Sequence, residues 1–159
     1  MFDRLQYCKP RNYRILYLDE TSISNTDHKL KSWAKPNEPI EVNPPDRAAA
    51  NHTAITVIDK NGVVHYKLIT GWNNTEKFLE FLNELKEKIV EERVTIVLDN
   101  ASVHHAKLVK TRILLRYGWI PIYNQPYAPK YMPIEHFFAV LKHQYRLNLL
   151  EDRKRLSGE

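Results

Sequence analysis

Apolar positions along this 159-residue chain form short runs and stepped faces, separated by turn residues. Residues 14–18 (RILYL) are a compact apolar run ending at Asp19, and they read as a buried strand. Two further runs, 53–58 (TAITVI) and 63–69 (VVHYKLI), flank Asp59-Lys60-Asn61-Gly62. Asn-Gly tolerates positive φ, so this spacing predicts a hairpin. From 75 to 92 the period changes: Phe78, Leu82, Leu85 and Ile89 recur at helical steps on one face. Asn73, three residues before Glu76, predicts a capping box at its start. Residues 94–98 (VTIVL) are apolar throughout, as a central strand buried on both faces requires. A second helix is predicted from about Ser102 to Tyr117, closed by Gly118. Residues 119–123 (WIPIY) predict an edge strand, because Pro121 lacks a ladder donor. A last helix runs from Pro133 to about Leu150, with Ile134, Phe138, Leu141, Tyr145 and Leu149 as its core stripe. Three strands, then alternating helices and strands, predict an α/β fold: a mixed β-sheet of about five strands flanked by helices. No internal repeat or linker interrupts residues 1–159, which reads as a single domain.

Other stretches carry no period. The N-terminal MFDRLQYCKPRNYR is polar and reads as loose, with no role for Cys8. Residues 25–51 contain Pro36, Pro39, Pro44 and Pro45 and predict a long irregular loop, with Trp33 as its anchor on the core. Loops of that length are often functional. A shorter loop holds Pro126 and Pro129, and the charged tail after Leu150 is expected to fray.

Composition narrows the classes. Hydrophobic residues make up 43%, which suits a packed core and argues against disorder. Lys and Arg number 24 against 19 acids, a net charge of +5 that is compatible with a nucleic-acid partner. One cysteine excludes an intramolecular disulfide and suits a reducing compartment. No apolar run approaches the roughly 20 residues of a membrane helix, and the N-terminus lacks a signal-peptide core, so an intracellular protein without a membrane partner is expected. His104, His105, His136 and His143 include no His-x-x-x-His pair, and one cysteine is too few for a common zinc site.

Three acids stand in distinctive settings: Asp19 in ILYLDET, Asp99 in TIVLDNASVHH, and Glu135 in YAPKYMPIEHFF. The first two follow apolar runs, so both are expected at strand ends, where α/β sheets build their sites. Glu135 lies two residues past Pro133 in a helical first turn, from which it can point back toward those ends. Clustered carboxylates repel one another unless cations neutralise them, and Mg²⁺ takes one or two carboxylates plus substrate phosphate. Two such ions suit an in-line displacement at phosphorus. Taken singly, each acid is equally at home as a turn former, a helix cap or a first-turn glutamate. Glu20 alternates with Asp19, so only one of the pair is expected to enter a common site.

Together, LDET, LDNASVHHAK and YAPKYMPIEHFFAVLK resemble the three signature blocks of the DDE transposases of the Tc/mariner superfamily, which includes related bacterial insertion sequences. The resemblance covers roughly residues 13–148, and the 35 residues between Asp99 and Glu135 are close to the superfamily's spacing. It implies a ribonuclease-H-like fold with Asp19, Asp99 and Glu135 as catalytic, metal-holding triad. It implies two Mg²⁺ ions, replaceable by Mn²⁺, with no small-molecule cofactor. The implied reaction is hydrolysis at the ends of a DNA element, followed by attack of the freed 3′-hydroxyl on target DNA. The implied partners are transposon-end and target DNA, with a homodimer in the DNA complex, in a bacterial cytoplasm or nucleoid or a eukaryotic nucleus. Full-length members carry an N-terminal helix-turn-helix region; with the first acid at position 19, a catalytic core lacking it is expected. Met132 stands where the family usually has Asn before Pro-Ile-Glu, removing a side chain able to cap or hydrogen-bond locally.

Asn100 and His104 match the second block. Asn100 either orients Asp99 or contacts a phosphate, or simply starts a helix. His104 either contacts DNA or a metal-bound water, or is a surface histidine. His105 reads as exposed. Lys142, seven residues after Glu135, returns to nearly the same helical face and could hold a phosphate; a solvated lysine is the plain alternative. Lys107, Lys110, Arg112, Arg116, Lys35 and Arg47 are weaker candidates of the same kind. Two readings compete with the transposase core: a ribonuclease-H-like nuclease without strand transfer, and a catalytically inactive, transposase-derived DNA-binding or scaffold protein. All three acids being present argues against the last.

Overall fold

The computed structural model describes residues 2–23, 52–91, 93–124 and 132–157. The expected loop 25–51, with Trp33, Lys35 and Arg47, and the loop of Pro126 and Pro129 lie outside the described residues. Helix α1 (Phe2–Cys8) and a short 3₁₀ turn (Lys9–Arg11) precede strand β1 (Arg14–Ile23). Strands β2 (His52–Asp59) and β3 (Gly62–Thr70), helix α2 (Thr75–Lys88) and strand β4 (Val94–Leu98) follow. Helices α3 (Ser102–His105) and α4 (Lys107–Thr111) come next, and α4 continues as a π-helical turn over Arg112–Arg116. Strand β5 (Ile120–Tyr123) and helix α5 (Pro133–Ser157) complete the order.

The five strands form one sheet in the order β3-β2-β1-β4-β5. Antiparallel pairing joins β3 to β2 and β2 to β1; parallel pairing joins β1 to β4 and β4 to β5. This is the mixed sheet that the hairpin followed by β-α units predicts. The hairpin closes through Lys60-Asn61, with Gly62 at φ +126° and Asn61 N–H donating to Asp59 Oδ1 at 2.7 Å. Gly118, at φ +69°, closes the α4 segment before β5. β5 is an edge strand, as Pro121 requires.

Alternation along the strands divides the core into two layers. Leu16, Leu18, Ile55, Val57, Val94, Ile96 and Leu98 face α2 and the α3–α4 segment, where Phe78, Phe81, Leu82, Leu85, Ile113 and Trp119 complete the larger cluster. Ile58, Val97 and Ile122 face α1 and α5, meeting Leu5, Cys8, Met132, Ile134 and Phe138. Truncating such a fully buried leucine or isoleucine to alanine costs about 2–5 kcal/mol.

Several expectations need correction. The N-terminal stretch is not loose: it folds as α1, because Leu5 and Cys8 cover the lower cluster, and Thr95 Oγ1 donates to the buried Cys8 Sγ at 3.2 Å. The cap of α2 is Asn74, whose Oδ1 accepts from Lys77 N–H at 2.9 Å; Asn73, one residue earlier, is used elsewhere. The helix expected over 102–117 breaks at Ala106, which adopts ψ 133°. Helix α5 continues through the charged tail to Ser157. Its stripe is core only at the start: Ile134 and Phe138 are buried, whereas Leu141, Tyr145 and Leu149 are half-buried. β1 does not end at Asp19; it runs on to Ile23 because β2 pairs with it over Tyr17–Ile23.

Candidate active site

Asp19 therefore lies inside a strand, not after one. Its position relative to Asp99 still follows from register. β1 and β4 pair in parallel with Tyr17 opposite Val97. Continued two residues past that pair, and one past the end of β4, the register leads to Asp19 and Asp99, with neighbouring strands about 4.8 Å apart in a sheet. Glu135 comes from the helix layer that Asp19 faces: it is in the first turn of α5, with its N–H donating to Met132 O at 3.1 Å. Met132 is buried in the lower cluster, so the residue replacing the family asparagine packs as core while its carbonyl serves the helix start.

The three acids share one electrostatic neighbourhood. Asp19 is buried, and its Oδ1 accepts from Glu20 N–H at 2.8 Å. Burial, together with the charges of Asp99, Glu20 and Glu135, pushes its carboxyl up to about 7. Asp99 goes the other way: His104 holds it below the usual carboxylate range against the effect of burial. Glu135 is exposed. Among the described residues, no three acidic, histidine or cysteine side chains close into a ligand group around a single point. The donor set still fits hard divalent cations: the ligands are oxygens, one carboxyl is buried without a counter-cation, and open coordination positions are what substrate phosphate requires.

His104 is fully buried and joins the second block to the first. Its Nε2 lies 3.1 Å from Glu20 Oε1, and its Nδ1 lies 2.6 Å from Asp99 Oδ1, a close ion-pair contact out of line for a well-aligned hydrogen bond. Its ring packs on Phe78 at 4.8 Å. Burial opposes charging of the imidazole, but Asp99 and Glu20 outweigh it and raise the ring to about 10. Glu20 also accepts from Asn73 Nδ2 at 2.7 Å. The surface reading of His104 is thus wrong in this structure, and Glu20, set aside by alternation, is tied to Asp99 through it. The usable signal was the alternation itself, which sends Glu20 to the face that the second-block helix covers.

Asn100 is occupied by structure. Its Nδ2 donates to Asn124 O, joining the ends of β4 and β5, and its Oδ1 faces His105 Nε2 at 3.1 Å. His105 is half-buried rather than exposed, stacked on Tyr123 at 4.3 Å. Lys142 is half-buried on α5, and among the described residues no carboxylate pairs with it. Of the weaker basic candidates, Arg112 donates to Asn83 Oδ1 at 3.3 Å and Lys110 lies over the Tyr123 ring at 5.6 Å. Among the described residues no helix is long and apolar enough to cross a membrane.

A Mos1 transposase paired-end complex with left transposon end is similar over 89% of this chain at 25% identity and a TM-score of 0.71. A Mos1 strand transfer complex matches over 89% at 25% identity and a TM-score of 0.70. A Mos1 mariner paired-end complex with Mn matches over 90% at 24% identity and a TM-score of 0.72. The matched part is 46%, 45% and 46% of those chains, so this chain spans a little under half their length. No curated protein matches the sequence. The sheet order and flanking helices are those of the ribonuclease-H-like fold. A family model, that of the DDE superfamily endonucleases, matches residues 14–157, and the chain belongs to that family.

Proposed function

We propose that this chain is the catalytic core of a DDE transposase, cutting DNA at element ends and joining the freed 3′-hydroxyl to target DNA. The observation that supports the proposal is the shared electrostatic neighbourhood of the three motif acids: the charges of Asp99 and Glu135 both act on the buried Asp19, and the β1–β4 register runs toward Asp19 and Asp99. Asp19, Asp99 and Glu135 would hold two Mg²⁺ ions, for which Mn²⁺ would substitute; the solved relatives include Mos1 complexes with Mn and with Mg. Bound there, the cations supply charge stabilisation for an in-line displacement at phosphorus. Asp19, mid-strand and buried, gives the rigid edge of the site; Asp99 lies just past the end of β4, and Glu135 adds its carboxylate from the α5 layer. Water attacks the scissile phosphorus and the 3′-oxygen departs as a hydroxyl. That hydroxyl then attacks a target phosphodiester, whose own 3′-oxygen leaves, so each step exchanges one P–O bond for another. Lys142, seven residues along α5 from Glu135, is placed to hold a backbone phosphate. The partners are transposon-end and target DNA, engaged by two copies of the chain, in a DNA-associated intracellular setting. Residues 14–157 make up one catalytic domain.

Supercoiled plasmid with Mg²⁺ or Mn²⁺ tests the reading. Wild type nicks it and joins a 3′-hydroxyl oligonucleotide to it; Asp99→Asn does neither. Nicking without joining points to a nuclease, and equal inertness of wild type and variant points to an inactive scaffold.

A further inference from the structure

We infer that Glu20 and His104 are positioning residues that aim Asp99, an inference that rests on the metal-holding role proposed above for Asp99. The imidazole is fully buried between two carboxylates, 3.1 Å from Glu20 and 2.6 Å from Asp99. Among the described residues only one Asp99 oxygen is engaged: Oδ1 faces His104 and accepts from Ala101 N–H at 2.9 Å. Oδ2 meets no described partner, and the Asp99 side chain is 43% exposed, so the carboxylate is held by one oxygen and presents the other outward. The Ala101 contact alone is an ordinary turn contact made by many aspartates after strands. The His104 contact is not ordinary, because it places an ionisable ring against Phe78 in the core, where a leucine would pack without desolvation cost. Glu20 holds the ring from the far side and is itself held by Asn73. Glu20 and Asp19 are adjacent in sequence, so one stretch of β1 supplies both a ligand of the site and the support of another ligand.

The test is Mn²⁺ binding followed by the EPR signal of the free ion, with melting temperature in EDTA measured in parallel. Glu20→Gln and His104→Ala are expected to weaken Mn²⁺ binding about 10–100-fold, the range for residues that orient metal ligands. His104→Asn keeps an amide donor where Nδ1 stood, so it should recover part of that loss. A purely structural role would lower the melting temperature and leave Mn²⁺ affinity unchanged, and that result in Glu20→Gln and His104→Asn overturns the inference even if His104→Ala does not fold. A wild type that fails to bind Mn²⁺ overturns the metal reading of the site and this inference with it.

Discussion

Asp19 and Glu20 are neighbours on one strand with the same chemistry and opposite fates. Asp19 faces the α5 layer, buried beside Asp99 and Glu135, with a single backbone N–H donating to it. Glu20 faces the α2 layer, where His104 and Asn73 both reach it. Strand alternation makes the difference, not residue type. Burial holds the first acid's carboxyl up, with no cationic partner among the described residues; the second is satisfied by the fold. One residue step thus separates a buried carboxylate with a backbone donor from one held by two side chains.

The largest test of that contrast is Asp19→Asn. Losing several kcal/mol of transition-state stabilisation corresponds to roughly a 10³-fold fall in metal-dependent nicking. The same variant should melt higher than wild type in EDTA at pH 8, because the amide carries no charge to bury. Glu20→Gln should lose less activity and gain no stability; an equal loss in nicking assays would erase the distinction between the two acids.

Next comes pH. For Asp19 the folded value, about 7, lies above the unfolded 3.8, so its contribution is present in acid and lost as pH rises from about 4 to 7. His104 is raised from 6.5 to about 10, so its contribution is lost as pH rises through that window. Both act in one direction: the metal-free protein should melt progressively lower from pH 5 to pH 9. Millimolar Mg²⁺ should flatten the lower part of the curve, where Asp19 titrates. A melting profile in EDTA that rises with pH would break the account.

Smaller effects sharpen the comparison. Asn73→Ala removes one of the two side-chain donors to Glu20 and should cost about 1 kcal/mol in chemical denaturation, with a modest fall in nicking. Asn74→Ala, one residue on, removes the α2 cap instead; it should also cost about 1 kcal/mol but leave nicking unchanged. Two adjacent asparagines would then divide between site and scaffold as the two acids do.

Much of this was legible in the residues. The five strand runs, the Asn-Gly hairpin, the edge character of Ile120–Tyr123 and the α2 face follow from local period and turn chemistry. The reach of β1 past Asp19 was not legible, because TSI alone does not announce a strand and only pairing with His52–Thr56 extends it. Folding of the N-terminal residues into α1 escaped for a similar reason: Leu5 and Cys8 have meaning only against a cluster built from distant strands. The break at Ala106 and the π-helical turn after it are tertiary adjustments to packing Val109 and Ile113 into the upper layer.

By itself the sequence determined which side chains could carry chemistry, and the opposite facing of Asp19 and Glu20, since both depend only on residue identity and the two-residue period of a strand. It also carried the resemblance through which the site was first identified. Tertiary structure alone decided what each face meets. The parallel β1–β4 register leads to Asp19 and Asp99, and the second-block helix delivers a buried His104 between Glu20 and Asp99. The Glu20–His104 contact spans 84 residues, and no local period encodes it: burial and partner are properties of the packed sheet.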